Sequence, residues 1–254
     1  LRRVHPQTPI LLGGVYATLC PDHAGKSLAV DRILPGPMET SIGQIVGEMT
    51  GWPVDRGPDA QRCDLLDTLP PPALDLQRVV GYVPLLASRG CPYRCRYCAS
   101  SLLEKRRLRR SAASVAEEIR RWHRDFNAVD FVFYDDALLL EPETHGLPLL
   151  EALSGLSLPV RFHTPNALHI RAIRGPVADL LLRAGFVTLR LGLETAGGRR
   201  PRLDRKVSEA EFLRAAAALR SAGFSPDAIG VYLLAGLPGQ TPEAVLSAIE
   251  AVKR

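Results

Sequence analysis

Tyr82-Val83-Pro84-Leu85-Leu86-Ala87 runs straight into Ser88-Arg89-Gly90-Cys91-Pro92-Tyr93-Arg94-Cys95-Arg96-Tyr97-Cys98-Ala99-Ser100. A short apolar run that breaks at glycine reads as a buried strand ending in a loop. The loop carries Cys91, Cys95 and Cys98 in a C-x3-C-x2-C spacing, expected to fold three thiolates around one point. Three soft ligands suit an iron–sulfur cluster and leave one iron of a four-iron cube open to a small molecule. The alternative, structural zinc, takes four protein ligands, usually as two C-x2-C-type pairs. Cys20 and Cys63 are distant in sequence and form no such pair. Thiolates must be deprotonated to bind iron, and Arg89, Arg94 and Arg96 favour that charge.

Outward from this loop, strand patterns recur at 130–134, 160–164, 187–193 and 229–234, with helical patterns at 111–126, 141–153, 175–184 and 208–222. Val115, Ile119, Trp122 and Phe126 share one face of the first helix, and Ser114 and Glu117 have capping-box spacing. Parallel strands covered by helices are the expected outcome, with chemistry at the strands' C-terminal ends. Candidate residues there are Asp135 and Asp136, His163 and Asn166, Glu194, and the turn from Gly236 to Thr241. For the aspartates a helix cap or a surface pair is the plainer reading, and for His163 a satisfied core histidine.

Upstream, Pro9-Ile10-Leu11-Leu12 reads as a strand stopped by Gly13-Gly14, followed by a loop, a short strand at 30–34 and a helix at 39–49. Residues 53–77 are rich in proline and aspartate and lack periodicity, as a linker would. The expected organisation is a unit at 1–52, a linker at 53–78 and a larger domain at 79–254.

Lys and Arg number 32 against 27 Asp and Glu, a net +5 that does not by itself argue for nucleic acid. Lys105-Arg106-Arg107-Leu108-Arg109-Arg110 is the strongest charge run and reads as a solvated loop. It has no interleaved aromatics for base stacking, so nucleic acid is not the expected partner. No stretch has the apolar length of a membrane span, and no signal-peptide pattern opens the chain. Five cysteines, three of them clustered, fit a reducing cytoplasm better than a disulfide framework. The chain opens at Leu1 and ends within a helical pattern, as a piece of a longer protein would.

The cysteine spacing, Tyr97 just before the third cysteine, and Ser88-Arg89-Gly90 resemble the radical S-adenosylmethionine (radical SAM) superfamily. The flanking sequence resembles its branch with an N-terminal cobalamin-binding domain. The resemblance implies an α/β fold: a partial (β/α)6 TIM-like barrel, incomplete at its C-terminal end, preceded by the C-terminal part of a Rossmann-like cobalamin-binding domain. It implies a 4Fe-4S cluster on Cys91, Cys95 and Cys98, whose open iron binds the amino and carboxylate groups of SAM. One electron then cleaves the sulfonium to methionine and a 5′-deoxyadenosyl radical, which abstracts hydrogen from an unreactive carbon.

By the same resemblance Tyr97 lies near the adenine, and Asp135 or Asp136 holds the methionyl ammonium. Leu191-Gly192-Leu193-Glu194-Thr195 resembles a Gly-x-Glu-Ser/Thr segment near the cofactor's polar groups, and the Gly236 turn is similarly family-like. Gly13 and Gly14 resemble the end of the cobalamin domain, where a glycine pair lets backbone lie against the nucleotide tail. The Asp-x-His-x-x-Gly cobalamin motif is absent, since Asp22-His23-Ala24-Gly25 has the wrong spacing; it would lie upstream of Leu1. Cobalamin is thus implied for the full-length protein, with methylation as the leading outcome. Implied partners are a small-molecule substrate and an electron donor such as flavodoxin or ferredoxin. Two other readings are an RNA-modifying methylthiotransferase using residues 105–110, and a non-catalytic protein with a structural metal.

Overall fold

Leu11 and Leu12 form β1 (Leu11–Leu12), which pairs in parallel with β2 (Arg32–Ile33) in the computed structural model, which describes residues 1–54, 65–196 and 207–253. Between them lie two short helices, α1 (Gly14–Leu19) and α2 (Pro21–Ser27), where the sequence pattern suggested a loop. Gly13-Gly14 and Pro21 look like breakers. Pro21 instead takes the first turn of α2, where a missing N–H removes no helical bond, with Asp22 beside it facing the positive helix end. Thr18 Oγ1 accepts the Gly36 N–H at 2.9 Å and ties α1 to the segment after β2. α3 (Ile42–Thr50) buries Ile45 and stops at Gly51, whose φ of 73° suits glycine.

The later half of the expected linker is packed rather than loose. It forms α4 (Leu65–Thr68) and a 3₁₀ turn at Leu74–Leu76, and it buries Leu66 and Leu74. Asp67 accepts the Ser111 N–H at 2.9 Å. Residues 55–64, including Cys63, lie outside the described residues.

Next come β3 (Val83–Leu85), β4 (Ser88–Arg89), α5 (Ser100–Leu103), β5 (Leu108–Arg109), α6 (Ala112–Phe126), β6 (Asp130–Phe133) and α7 (Leu147–Ser154). After them stand β7 (Arg161–His163), α8 (Gly175–Ala184), β8 (Phe186–Glu194), α9 (Glu209–Ala222), β9 (Ile229–Leu233) and α10 (Pro242–Lys253). The main sheet has five parallel strands in the order β3-β6-β7-β8-β9, which is chain order. Order without reversal winds the sheet one way, as a barrel does, rather than both ways about a switch point.

Period-two alternation divides the sheet's faces. Phe131, Phe133, Phe162 and Phe186 face the helices and are buried, with ring centroids 5.3 Å apart for Phe162 and Phe186. Ile119, Trp122, Leu149, Leu150 and Leu181 cover them from the helices. The opposite face is half-buried and polar, carrying Asp130, His163, Thr188 and Arg190. α6 is capped by Ser111, which accepts the Ser114 N–H at 3.2 Å, one turn before the expected Ser114 box. α9 has a complete capping box: Ser208 Oγ accepts from Glu211, and Glu211 accepts from the Ser208 N–H at 2.7 Å. Mainly through that backbone bond, the Glu211 carboxyl falls to about 2. Among the described residues no helix is long and apolar enough to cross a membrane.

Candidate metal centre at the C-terminal end of the sheet

β4 and β5, unforeseen in the sequence, form an antiparallel ribbon that closes the cysteine loop at its base, pairing Ser88 with Arg109 and Arg89 with Leu108. The chain must turn sharply at once, and Gly90 supplies the turn with φ 82°. A Cβ there would sit 2.4 Å from the Arg106 carbonyl oxygen, so glycine is demanded by space as well as by conformation. Within the loop the Cys98 N–H bonds the Cys95 carbonyl at 3.0 Å, and α5 begins two residues later. Cys91 and Cys95 are half-buried and Cys98 is exposed. Among the described residues no three His, Cys, Asp or Glu side chains converge as ligands of one ion do. A cube presents a different iron to each thiolate, so its sulfurs need no shared contact. An all-sulfur donor set on a partly open loop suits such a cluster.

The two aspartates after β6 divide their work. Asp135 is 2% exposed and accepts from Ala87 N at 3.0 Å, Ser88 N at 2.5 Å and Ser88 Oγ at 2.6 Å. Burial nevertheless pushes its carboxyl up to about 6, with the Ser88 and Ala87 bonds opposing. Both oxygens of Asp135 are engaged within the protein. It holds the first foot of the cysteine loop. Asp136 is exposed, and its Oδ1 accepts from Ser100 Oγ at 3.0 Å. Ser100 Oγ in turn lies 3.3 Å from Cys98 Sγ. Adjacent carboxylates thus grip the loop on both sides of its cysteines.

Arg107 adds a third hold, donating to the carbonyls of Gly90 at 3.0 Å and Ala137 at 3.2 Å. The basic run is therefore not simply solvated. Arg107 and Arg110 have side chains 13% and 15% exposed, and Arg110 pairs with Glu118. Lys105, Arg106 and Arg109 face outward, with Arg109 2.8 Å from Glu141. Buried carbonyls and carboxylates, invisible in a local charge pattern, turn Arg107 and Arg110 inward.

The remaining candidates fall in different places. Asn166 Nδ2 donates to the Tyr134 carbonyl at 2.7 Å, joining the loops after β6 and β7. His163 points away from the loop: Nε2 is 3.0 Å from Asp130 Oδ1, at the start of β6, and Nδ1 is 3.0 Å from Thr188 Oγ1. Both ring nitrogens of this half-buried side chain are engaged within the sheet. Glu194 ends β8, buried, at φ 67°, where the register with β9 shifts. Gly236 follows β9 at φ 85° with open space around it, so conformation alone asks for glycine. Tyr97 is half-buried in the cysteine loop. At Gly13 a Cβ would meet Met38 Cε at 2.3 Å, whereas Gly14 starts α1 at φ 84° with nothing nearby.

Several contacts had no signal in the sequence. Tyr93 stacks on the buried His169 with centroids 4.7 Å apart, fastening the cysteine loop to the segment after β7. Arg89, two residues before Cys91, pairs with Glu39 at 2.6 Å and joins the upstream unit to the ribbon. A cavity of about 680 Å³ lies beside edge strand β3, lined by Leu66, Pro71, Leu85, Arg89 and Tyr134, and no cysteine lines it.

The sequence profile of the radical SAM superfamily matches residues 85–252. The chain belongs to the radical SAM superfamily. It is 21% identical to an uncharacterized methyltransferase of Pyrococcus horikoshii, over 100% of this chain and 59% of that protein. It is 24% identical to the bacteriochlorophyllide d C-12(1)-methyltransferase of Chlorobaculum tepidum, over 73% of this chain and 42% of that protein. The chain thus spans about half the length of these relatives. Among solved structures, the radical SAM methyltransferase TsrM of Kitasatospora setae, with cobalamin and a 4Fe-4S cluster bound, superposes with a TM-score of 0.59. That match has 22% identity and covers 68% of this chain and 32% of TsrM. The five-stranded parallel sheet is the superfamily's TIM-like core.

Proposed function

We propose that this chain carries the catalytic core of a radical SAM methyltransferase in which Cys91, Cys95 and Cys98 bind a 4Fe-4S cluster. The observation that carries the reading is the placement of three thiols on one loop at the sheet's C-terminal end, fastened on both sides by Asp135, Asp136 and Arg107. A cluster with one open iron supplies one-electron cleavage of SAM to methionine and a 5′-deoxyadenosyl radical. Asp136, exposed and engaged through Oδ1, offers its second oxygen to the methionyl ammonium. Tyr97 flanks the adenine, and Glu194 with the Gly236 turn closes the polar side of the cofactor pocket.

The methyltransferase names of both relatives and the cobalamin in TsrM support a cobalamin-dependent methylation of an unreactive carbon. Gly13 and Gly14, after a parallel strand joined to the core by Glu39 and Arg89, are the part of a cobalamin unit present here. A small-molecule substrate and a low-potential donor such as flavodoxin or ferredoxin complete the system.

The test is anaerobic reconstitution with iron and sulfide, followed by reduction with SAM present. The expected result is 5′-deoxyadenosine from the wild type and none from C95A. Tight zinc with no 5′-deoxyadenosine would overturn the proposal. Cobalamin is tested on a longer chain by its visible absorption.

A further inference from the structure

We infer that Ser100 is a positioning residue that couples the charge of Asp136 to Cys98 and thereby sets the reduction potential of the cluster; this rests on the cysteine assignment proposed above. Three contacts define the link. Ser100 Oγ donates to Asp136 Oδ1 at 3.0 Å, the Cys98 thiol donates to Ser100 Oγ at 3.3 Å, and the Ser100 N–H reaches Cys98 Sγ at 3.5 Å. The carboxylate stands in the loop after β6, 36 residues away in sequence, so the fold rather than the cysteine loop brings it here.

The chain of donors changes once sulfur is bound to iron. Cys98 then has no proton to give, and two anions, the thiolate and the Asp136 carboxylate, compete for the one Ser100 hydroxyl proton. As long as Asp136 takes it, the hydroxyl turns a lone pair toward sulfur, and a negative charge stands one residue beyond. Both features oppose adding an electron to the cluster, because reduction makes it more negative. Hydrogen bonds to cluster sulfurs and nearby charge are the levers by which a protein moves this potential. Replacing Asp136 by Asn removes the charge. It also offers an amide donor to Ser100 Oγ, releasing the hydroxyl proton to Cys98 Sγ. Both changes act in the same direction.

The experiment is a double-mutant cycle on the midpoint potential of the reconstituted protein, measured without SAM by titrating with a chemical reductant and reading the reduced cluster by electron paramagnetic resonance. D136N is expected to favour the reduced form about threefold to tenfold, which is ~30–60 mV upward for a one-electron couple. In an S100A background the same substitution is expected to move the equilibrium by less than half as much on a logarithmic scale. S100T, which keeps the hydroxyl, should behave as the wild type. Iron content and circular dichroism establish that each variant is folded and loaded, and D136E, which keeps the charge, serves if D136N loads poorly: it should hold the wild-type potential. An unchanged potential in D136N overturns the inference. So does a full D136N shift in S100A, which would make the charge act through space, or S100T resembling S100A. A wild type that binds no cluster would instead refute the proposed function, so the two failures are distinct.

Discussion

At the start of the main sheet Arg161 grips both oxygens of Asp130 at 2.7 and 2.6 Å, while His163 bridges Asp130 and Thr188. At its far end Asp135 binds the N–H groups of Ala87 and Ser88, Arg107 binds the carbonyls of Gly90 and Ala137, and Asn166 binds that of Tyr134. Both ends are polar, yet their partners differ in kind. The first cluster joins side chains of neighbouring strands and leaves His163 no free nitrogen. The second spends its donors and acceptors on backbone, and backbone bonds hold loops in shape. The first network is a seam between strands, and the second fixes the loops that flank the cysteines.

The sharpest break in this comparison is C95A, which should abolish iron uptake and 5′-deoxyadenosine formation while leaving the Asp130 seam intact, checked by circular dichroism. Next is the pH response of Asp135. Burial raises its folded pKa from 3.8 to about 6, so the folded chain keeps a proton that the unfolded chain has released. Its contribution to stability is therefore fullest below about pH 4 and is lost as pH rises through about 6, a swing on the order of 3 kcal/mol. Urea melts at about pH 4 and about pH 7 should show the wild type losing that much relative to D135N; a constant difference would mean an aspartate ionised throughout. R107M comes third, since it strands the carbonyls of Gly90 and Ala137. Melts should show a loss of about 2 kcal/mol, with reduced iron per chain. Smallest is H163Q, expected to leave the 5′-deoxyadenosine yield within about twofold, because no step is assigned to the seam. A large loss in H163Q would erase the distinction between the two ends.

The strands and the cysteine motif were legible because each is a local pattern: apolar runs bounded by breakers, and thiols at fixed spacing. What escaped was set by distant partners. Asp135 and Asp136 are adjacent and alike in sequence, and only Ser88 and Ser100, far along the chain, give one to the interior and the other to the loop. Arg107 and Arg109 belong to one basic run, yet the carbonyls of Gly90 and Ala137 draw in the first and leave the second outside. The α6 cap moved from Ser114 to Ser111 because both serines precede helix-forming residues and only the entry of the chain decides between them. The ribbon β4–β5 is too short to leave a periodic signal.

That ribbon holds the cysteine segment closed independently of any metal. It knots the cysteine segment at its neck by backbone bonds that involve no sulfur, so closing the segment does not depend on iron. Loss of the proposed cluster would therefore loosen the stretch between the cysteines without releasing the frame around it. Reloading the proposed cluster would then ask for fresh iron and sulfide, and for no refolding of the sheet.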